Sequence, residues 1–170
     1  MWQRSVLLLS LALLVAGCGE DPEKEAFRQS LIDKALNDET RKAGDAFQAS
    51  YRDQPDVKEL EAGILYRVLR DGNGEVPVLQ DSVVVHYEGT RVDGEVFDSS
   101  YEREKPSTLP LKGVIRGWQK VLTKMPVGSQ WEVVLPPEQA YGATSPNTKI
   151  PANSTLIFKI DLLDKQTPEE

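Results

Sequence analysis

VVVHYEGTRVDGEVFDSSYEREKPSTLPLKGVIRGW, residues 83–118, decides how the rest of the chain is read. Val83, Val85 and Tyr87 alternate with Val84, His86 and Glu88, so a strand here turns the two valines and the tyrosine ring to one face. Asp93-Gly94 is the commonest two-residue hairpin signal and predicts that the chain returns alongside, with Phe97 and Asp98 beside the first strand. Trp118, Val121, Leu122 and Met125 fall at i, i+3, i+4 and i+7, which predicts a short helix over residues 117–123 with one face on a sheet. Trp118 then sits in its first turn, where it can form a floor. Apolar and aromatic residues from separate elements thus converge on one concavity.

Working outward, residues 64–70 read as a strand ended by the turn formers Asp71-Gly72-Asn73-Gly74. That run is neither a calcium loop nor a phosphate cradle, because the EF-hand ligand spacing stops at its second position and no Gly-Lys-Ser/Thr follows. In 130–135, Trp131, Val133 and Leu135 share one face, as do Leu156, Phe158, Ile160 and Leu162 in 155–163. Both patterns are those of half-buried antiparallel strands. The fold class expected is α+β, a bent antiparallel sheet wrapped over one short helix. Residues 140–151 lack periodicity and are expected to overhang the concavity.

Catalysis by nucleophile or metal finds little support in these residues. The sole histidine, His86, alternates out of phase with Tyr87 and is expected on the opposite face, so no triad can be assembled around the concavity. One histidine and one cysteine do not build a metal cluster, and no metal or cofactor is expected. A net charge of −7 and a pI near 4.9 argue against nucleic acid, which needs clustered Lys and Arg.

Five motifs, in order, carry a family resemblance: V-x-V-x-Y-x-G at 83–89, DGxxFDSS at 93–100, VIxGW at 114–118, PPExAYG at 136–142 and IPxNSTLIFKIDLL at 150–163. Together they resemble the FKBP-type peptidyl-prolyl cis-trans isomerases over roughly residues 60–164. The segment DGEVFDSSYEREKP further resembles the bacterial Mip-like branch, in which the domain follows an N-terminal helical segment. The resemblance implies an FKBP-like sheet and a pocket for a prolyl ring. Its walls would be Tyr87, Phe97, Val114, Ile115 and Phe158, and Trp118 its floor. Tyr141 would donate its hydroxyl to a substrate carbonyl, Asp98 with Arg103 would shape the rim, and Leu109 and Ile150 would lie at the rim too. The structural alternative for Asp98 is to hold a neighbouring Tyr or Arg. The partners implied are proline-containing polypeptides and macrolide-type FKBP ligands. The chain departs from many single-domain relatives at Ser107 and Leu109, where those carry aromatics, and at Pro146 and Lys149 in the overhanging loop. An active isomerase assisting protein folding is the leading expectation. A non-catalytic proline-binding or chaperone module of the same fold and a purely structural lipoprotein are the alternatives.

The start of the chain has one arginine, Arg4, an apolar run of about a dozen residues and a small-residue exit, which is the plan of a secretory signal. That run is short of the ~20 residues that span a bilayer. Val15-Ala16-Gly17-Cys18 resembles the bacterial lipobox, in which the cysteine carries palmitate-type acyl chains. Lipidation of Cys18 would account for a lone thiol and would anchor the protein, each buried CH₂ contributing about 0.8 kcal/mol. An ordinary signal peptide cut nearby is the alternative. Gly19 stands where Asp would retain such a lipoprotein at the inner membrane, so the resemblance favours the outer membrane of a bacterial envelope, facing the periplasm.

Four segments are therefore expected: a signal at 1–17, a polar helical extension at 18–59, the isomerase-type domain at 60–164 and a disordered tail at 165–170. In the extension, Asp21-Pro22 starts a helix and Pro55 stops one. Phe27, Leu31, Ile32, Ala35 and Leu36 form one apolar stripe, and Ala43, Ala46, Phe47 and Tyr51 a second. The readings are a stalk whose second stripe packs on the domain, with a monomer favoured, or a homodimerising segment.

Overall fold

A computed structural model describes residues 21–36 and 38–168; the signal segment 1–17, Cys18 and Gly19 lie outside the described residues. Two helices, α1 (Pro22–Leu36) and α2 (Glu39–Arg52), precede β1 (Lys58–Glu59), β2 (Leu65–Arg70), β3 (Ser82–Arg91), β4 (Val96–Ser99) and β5 (Ser107–Pro110). The helix α3 (Arg116–Leu122), β6 (Gln130–Leu135) and β7 (Leu156–Gln166) complete the order. The strands make one seven-stranded sheet in the order β1-β2-β6-β7-β3-β4, with β5 also on β3. Every pairing is antiparallel.

The alternation read from sequence sets the inner face. Val83, Val85 and Tyr87 of β3 meet Trp131, Val133 and Leu135 of β6 and Leu156, Phe158, Ile160 and Leu162 of β7 in one core. Against it packs α3, with Trp118, Val121 and Leu122, followed by Met125, all buried. Each such side chain contributes about 1.5–3 kcal/mol on leaving water. Gly117 lets α3 come close to β6, since a Cβ there would lie 2.6 Å from the Leu135 methyls.

Part of the outer face is also covered. Leu65, Val134 and Ile157 are neighbours across β2, β6 and β7, and Tyr51 and Phe47 of α2 pack on them. The buried side of α2 is Gly44, Gln48 and Tyr51, whereas Ala43 and Ala46 of the expected stripe are exposed. Polar contacts account for this rotation. A Cβ on Gly44 would sit 2.4 Å from Thr155 Oγ1, and Gln48 Nε2 donates to that oxygen at 3.1 Å. Tyr51 and Arg67 both donate to Glu132 Oε1 at 2.7 Å, and burial beside that carboxylate pushes the Tyr51 phenol well above its usual range. In α1, Asp21 Oδ1 accepts from Glu23 N at 3.0 Å, consistent with a capped start at Pro22. Its stripe residues Phe27, Leu31 and Ile32 are exposed.

Two expectations are corrected. The β3–β4 connection is not a two-residue hairpin: Arg91 N–H bonds Glu95 O and Gly94 N–H bonds Arg91 O, both at 3.0 Å, with Gly94 at φ 86°. Val92-Asp93-Gly94 thus forms a three-residue connection whose glycine takes the left-handed conformation, and the register slips between Gly89 and Thr90. The strand β7 also continues past 164: Lys165 and Gln166 pair with Val83 and Ser82, and the Lys165 ammonium reaches Glu75 at 2.9 Å and Asp81 at 3.6 Å. Those two ion pairs help hold residues 165 and 166, expected as the start of a disordered tail, in the strand.

Candidate functional site

A cavity of about 250 Å³ opens between the inner face of the sheet and the start of α3. Tyr87 of β3, Phe97 and Asp98 of β4, Leu109 of β5, Trp118 of α3 and Phe158 of β7 line it, with Gly113, Val114 and Ile115 from the connection into α3. Tyr141 reaches it from the turn after Pro137–Gln139. The rings stand edge to face: Tyr87–Trp118 at 5.2 Å and 89°, Trp118–Phe158 at 5.3 Å and 82°, Phe97–Phe158 at 5.6 Å and 86°. Each such perpendicular contact adds about 0.5–1.5 kcal/mol to burial, so the wall is fixed before anything binds.

That wall depends on a backbone without a side chain beneath it. A Cβ on Gly89 would lie 2.5 Å from Phe97 Cζ and 3.0 Å from Phe158 Cε1. The glycine of V-x-V-x-Y-x-G is therefore the seat of two ring walls.

One carboxylate, Asp98, lines the cavity, and it is fully engaged. Tyr87 Oη donates to Asp98 Oδ2 at 2.5 Å, Arg103 bonds the other oxygen, and Arg103 NH2 also donates to Tyr87 Oη at 3.1 Å. The guanidinium stacks 5.6 Å from the Tyr87 ring centre. Burial would raise the Asp98 carboxyl, but the hydrogen bonds from Tyr87 and Arg103 and the Arg103 charge outweigh it and hold it below the usual range. Burial, and then the bond to Asp98, push the Tyr87 phenol up; burial and the Asp98 charge do the same for Tyr141. At neutral pH the site thus holds an ionised, paired Asp98 and two neutral phenols.

The structure brings Tyr87, Phe97, Asp98, Val114, Ile115, Trp118, Tyr141, Phe158 and Leu109 around one cavity. Arg103 stands behind Asp98 rather than on the lining. Ile150, expected at the rim, is only 2 % exposed and packs in the main core, because the bridge Asn147–Ile150 and the bond from Ser145 Oγ to Ile150 O fold that part of the loop inward. His86 lies on the opposite face of β3, bonded to Ser100 Oγ at 2.9 Å and stacked on Tyr101. Sequence reasoning missed Gly113, which no pattern marks, and the steric role of Gly89, which its place between Tyr87 and Phe97 could have suggested.

The family profile described as FKBP-type peptidyl-prolyl cis-trans isomerase matches residues 74–163. The peptidyl-prolyl cis-trans isomerase Mip of Coxiella burnetii is 48% identical over 118 residues, which are 69% of this chain and 51% of that protein. The outer membrane protein MIP of Legionella longbeachae is 42% identical over 74% of this chain and 54% of its own length. The chain spans about half the length of these curated relatives. A crystal structure of a peptidyl-prolyl cis-trans isomerase from Pseudomonas syringae superposes with a TM-score of 0.71 at 38% identity, covering 75% of this chain and 94% of that one. An antiparallel sheet over a short helix, a ring-lined cavity at its inner face and these likenesses converge: the chain belongs to the FKBP-type peptidyl-prolyl cis-trans isomerase family, in its Mip-like branch.

Proposed function

We propose that this chain catalyses cis-trans isomerisation at X–Pro bonds of polypeptides by favouring the twisted amide in the Trp118 cavity. The observation that carries the reading is a ring-walled cavity whose one carboxylate is already ion-paired with Arg103 and hydrogen-bonded by Tyr87. The barrier to rotation is about 18–20 kcal/mol because a planar amide loses resonance as it twists. Uncatalysed exchange takes tens to hundreds of seconds. No bond need break, so no proton donor or nucleophile is required. A twisted amide has less charge separation than a planar one, and a dry apolar cavity therefore favours it over a ground state that water stabilises. Each ~1.4 kcal/mol of that preference gives about tenfold in rate.

The residues divide the task. Trp118 supports the prolyl ring from below, with Tyr87, Phe97, Val114, Ile115 and Phe158 around it. Among the described residues nothing accepts a hydrogen bond from the Tyr141 hydroxyl, which suits it to a substrate carbonyl. Asp98 and Arg103 fix the Tyr87 ring and shape the rim with Leu109. A pipecolyl-type macrocycle, whose ring resembles proline, is expected to compete for the same space.

The setting proposed is a bacterial envelope, with a lipidated Cys18 holding the protein to the outer membrane and the domain facing the periplasm, where it assists folding. The lipobox-like Val15-Ala16-Gly17-Cys18 supports this, as does the outer-membrane name of the Legionella relative. A monomer is the oligomeric state proposed, because the sheet already occupies the apolar side of α2 that Phe47 and Tyr51 form.

The test is exchange between the cis and trans NMR lines of a short X–Pro peptide with and without the full chain. Acceleration that the macrocycle abolishes supports the reading. No acceleration at high protein concentration would leave a proline-binding module of the same fold.

A further inference from the structure

The turn that carries Tyr141 is gripped from both sides by the first turn of α2, a helix outside the stretch that the family profile matches. On one side, Arg41 forms an ion pair with Glu138, which lies in the short helical turn Pro137–Gln139 just before Ala140. Arg41 Nε also holds Asp45 at 3.1 Å, which fixes the guanidinium on the helix. On the other side, Asp38 caps α2 by accepting from Thr40 N at 2.9 Å through one oxygen and takes Asn153 Nδ2 at 3.1 Å through the other. Asn153 then donates its backbone N–H to Gly142 O at 2.7 Å. Pro137 O closes the turn between them, accepting from Ala140 N at 3.0 Å and Gly142 N at 2.8 Å. Tyr141 is thus bracketed by Glu138 and Gly142, and both brackets end on α2.

Neither grip is a general packing contact. Asn153 holds a left-handed backbone at φ 60°, a conformation that asparagine adopts more readily than other non-glycine residues, and it aims the side-chain amide at Asp38 and the backbone N–H at Gly142. The Glu138 carboxyl would be raised by burial, yet the Arg41 hydrogen bond brings it below the usual range. Gln48 to Thr155 anchors the far end of the same loop to the same helix.

Building on the isomerase reading, we propose that Asp38 and Arg41 of α2 are positioning residues for catalysis, holding the 137–142 turn so that the Tyr141 hydroxyl meets the substrate carbonyl. The helix that joins the extension to the domain is then part of the catalytic apparatus.

Two readouts on the full chain test this. In Arg41→Gln, hydrogen exchange at the Gly142 and Asn153 amides should speed up severalfold while the β6 and β7 amides keep wild-type protection. Turnover of the X–Pro peptide should fall about threefold in kcat/KM, as expected of one partly exposed ion pair. Arg41→Lys should restore much of it. In a Tyr141→Phe background the same Arg41→Gln change should cost less than about 1.5-fold, because positioning a lost hydroxyl has no value. Equal losses in both backgrounds, or unchanged exchange at Gly142 and Asn153, would overturn the proposal. A wild-type chain without turnover would overturn the isomerase reading instead, and the amide exchange would still report on the grip.

Discussion

Gly89→Ala asks whether the backbone beneath the rings sets the shape of the pocket. The new methyl would fall 2.5 and 2.7 Å from two atoms of the Phe97 ring and 3.0 Å from Phe158, where ordinary contact begins at 3.4 Å. Phe97 must therefore retreat from the sheet by about 1 Å and Phe158 by about half that, off the perpendicular contacts that fix both. Overpacking of this kind costs roughly 1–3 kcal/mol, or about 3–15 °C in Tm for a domain of this size. Both rings line the cavity, so affinity for a pipecolyl-type macrocycle should fall about tenfold, near 1.4 kcal/mol. Gly94→Ala is the control. It forces alanine into φ 86° with no atom within 4 Å, so it should cost about 1–2 kcal/mol of backbone strain while leaving the cavity alone. Calorimetric Tm and fluorescence-monitored ligand titration of both variants separate stability from pocket shape. Wild-type affinity in Gly89→Ala, or an equal loss in Gly94→Ala, would refute the reasoning.

Four further outcomes are expected. Tyr141→Phe should fold normally and lose about three- to tenfold in kcat/KM, the value of one hydrogen bond to a carbonyl; complete loss would give that hydroxyl a chemical role. The pH–rate profile should be flat between about pH 6 and 8, because Asp98 is held below and Tyr87 and Tyr141 above that window, and a midpoint inside it would contradict the twist mechanism. A folded carboxyl lowered below its unfolded value of about 3.9 binds fewer protons than the unfolded chain does in acid, so the stability Asp98 adds is present above about pH 4 and lost as pH falls through the folded value. Asp98→Asn should accordingly flatten Tm against pH between about 5 and 2, and an unchanged slope would count against the network. Finally, Cys18→Ser should release the protein from membranes and abolish incorporation of labelled fatty acid; unchanged partition would point to another anchor.

The sequence made the sheet legible wherever one face is wet. β3, β6 and β7 alternate because each covers a core on its inner side, and α3 shows a helical stripe for the same reason. β1 and β5, of two and four residues, are too short to display a period. The pocket residues were legible through motif resemblance, because rings that meet in space come from β3, β4, α3 and β7 and no local pattern joins them. Hydrophobicity misread α2, whose rotation follows Gly44, Gln48 and Thr155, a fit that depends on a glycine and on two polar groups far apart in sequence. Ile150 was misplaced for a similar reason: an apolar residue in an aperiodic loop gives no sign of whether the loop folds in or out.

The place of β7 bears on how the chain reaches this state at all. It is the final strand in sequence yet lies in the interior of the sheet, with β1, β2 and β6 on one side and β3, β4 and β5 on the other. Until residues 156–166 arrive, whether from a ribosome or through a translocation channel, no hydrogen-bonded ladder joins the two halves. Their closing contacts are distant in sequence, as between Ser82 and Gln166, and such contacts form slowly. The two halves of the sheet are joined only when β7 inserts between them. A nascent chain stalled before residue 156 would present the bare edges of β3 and β6, each able to recruit a foreign strand.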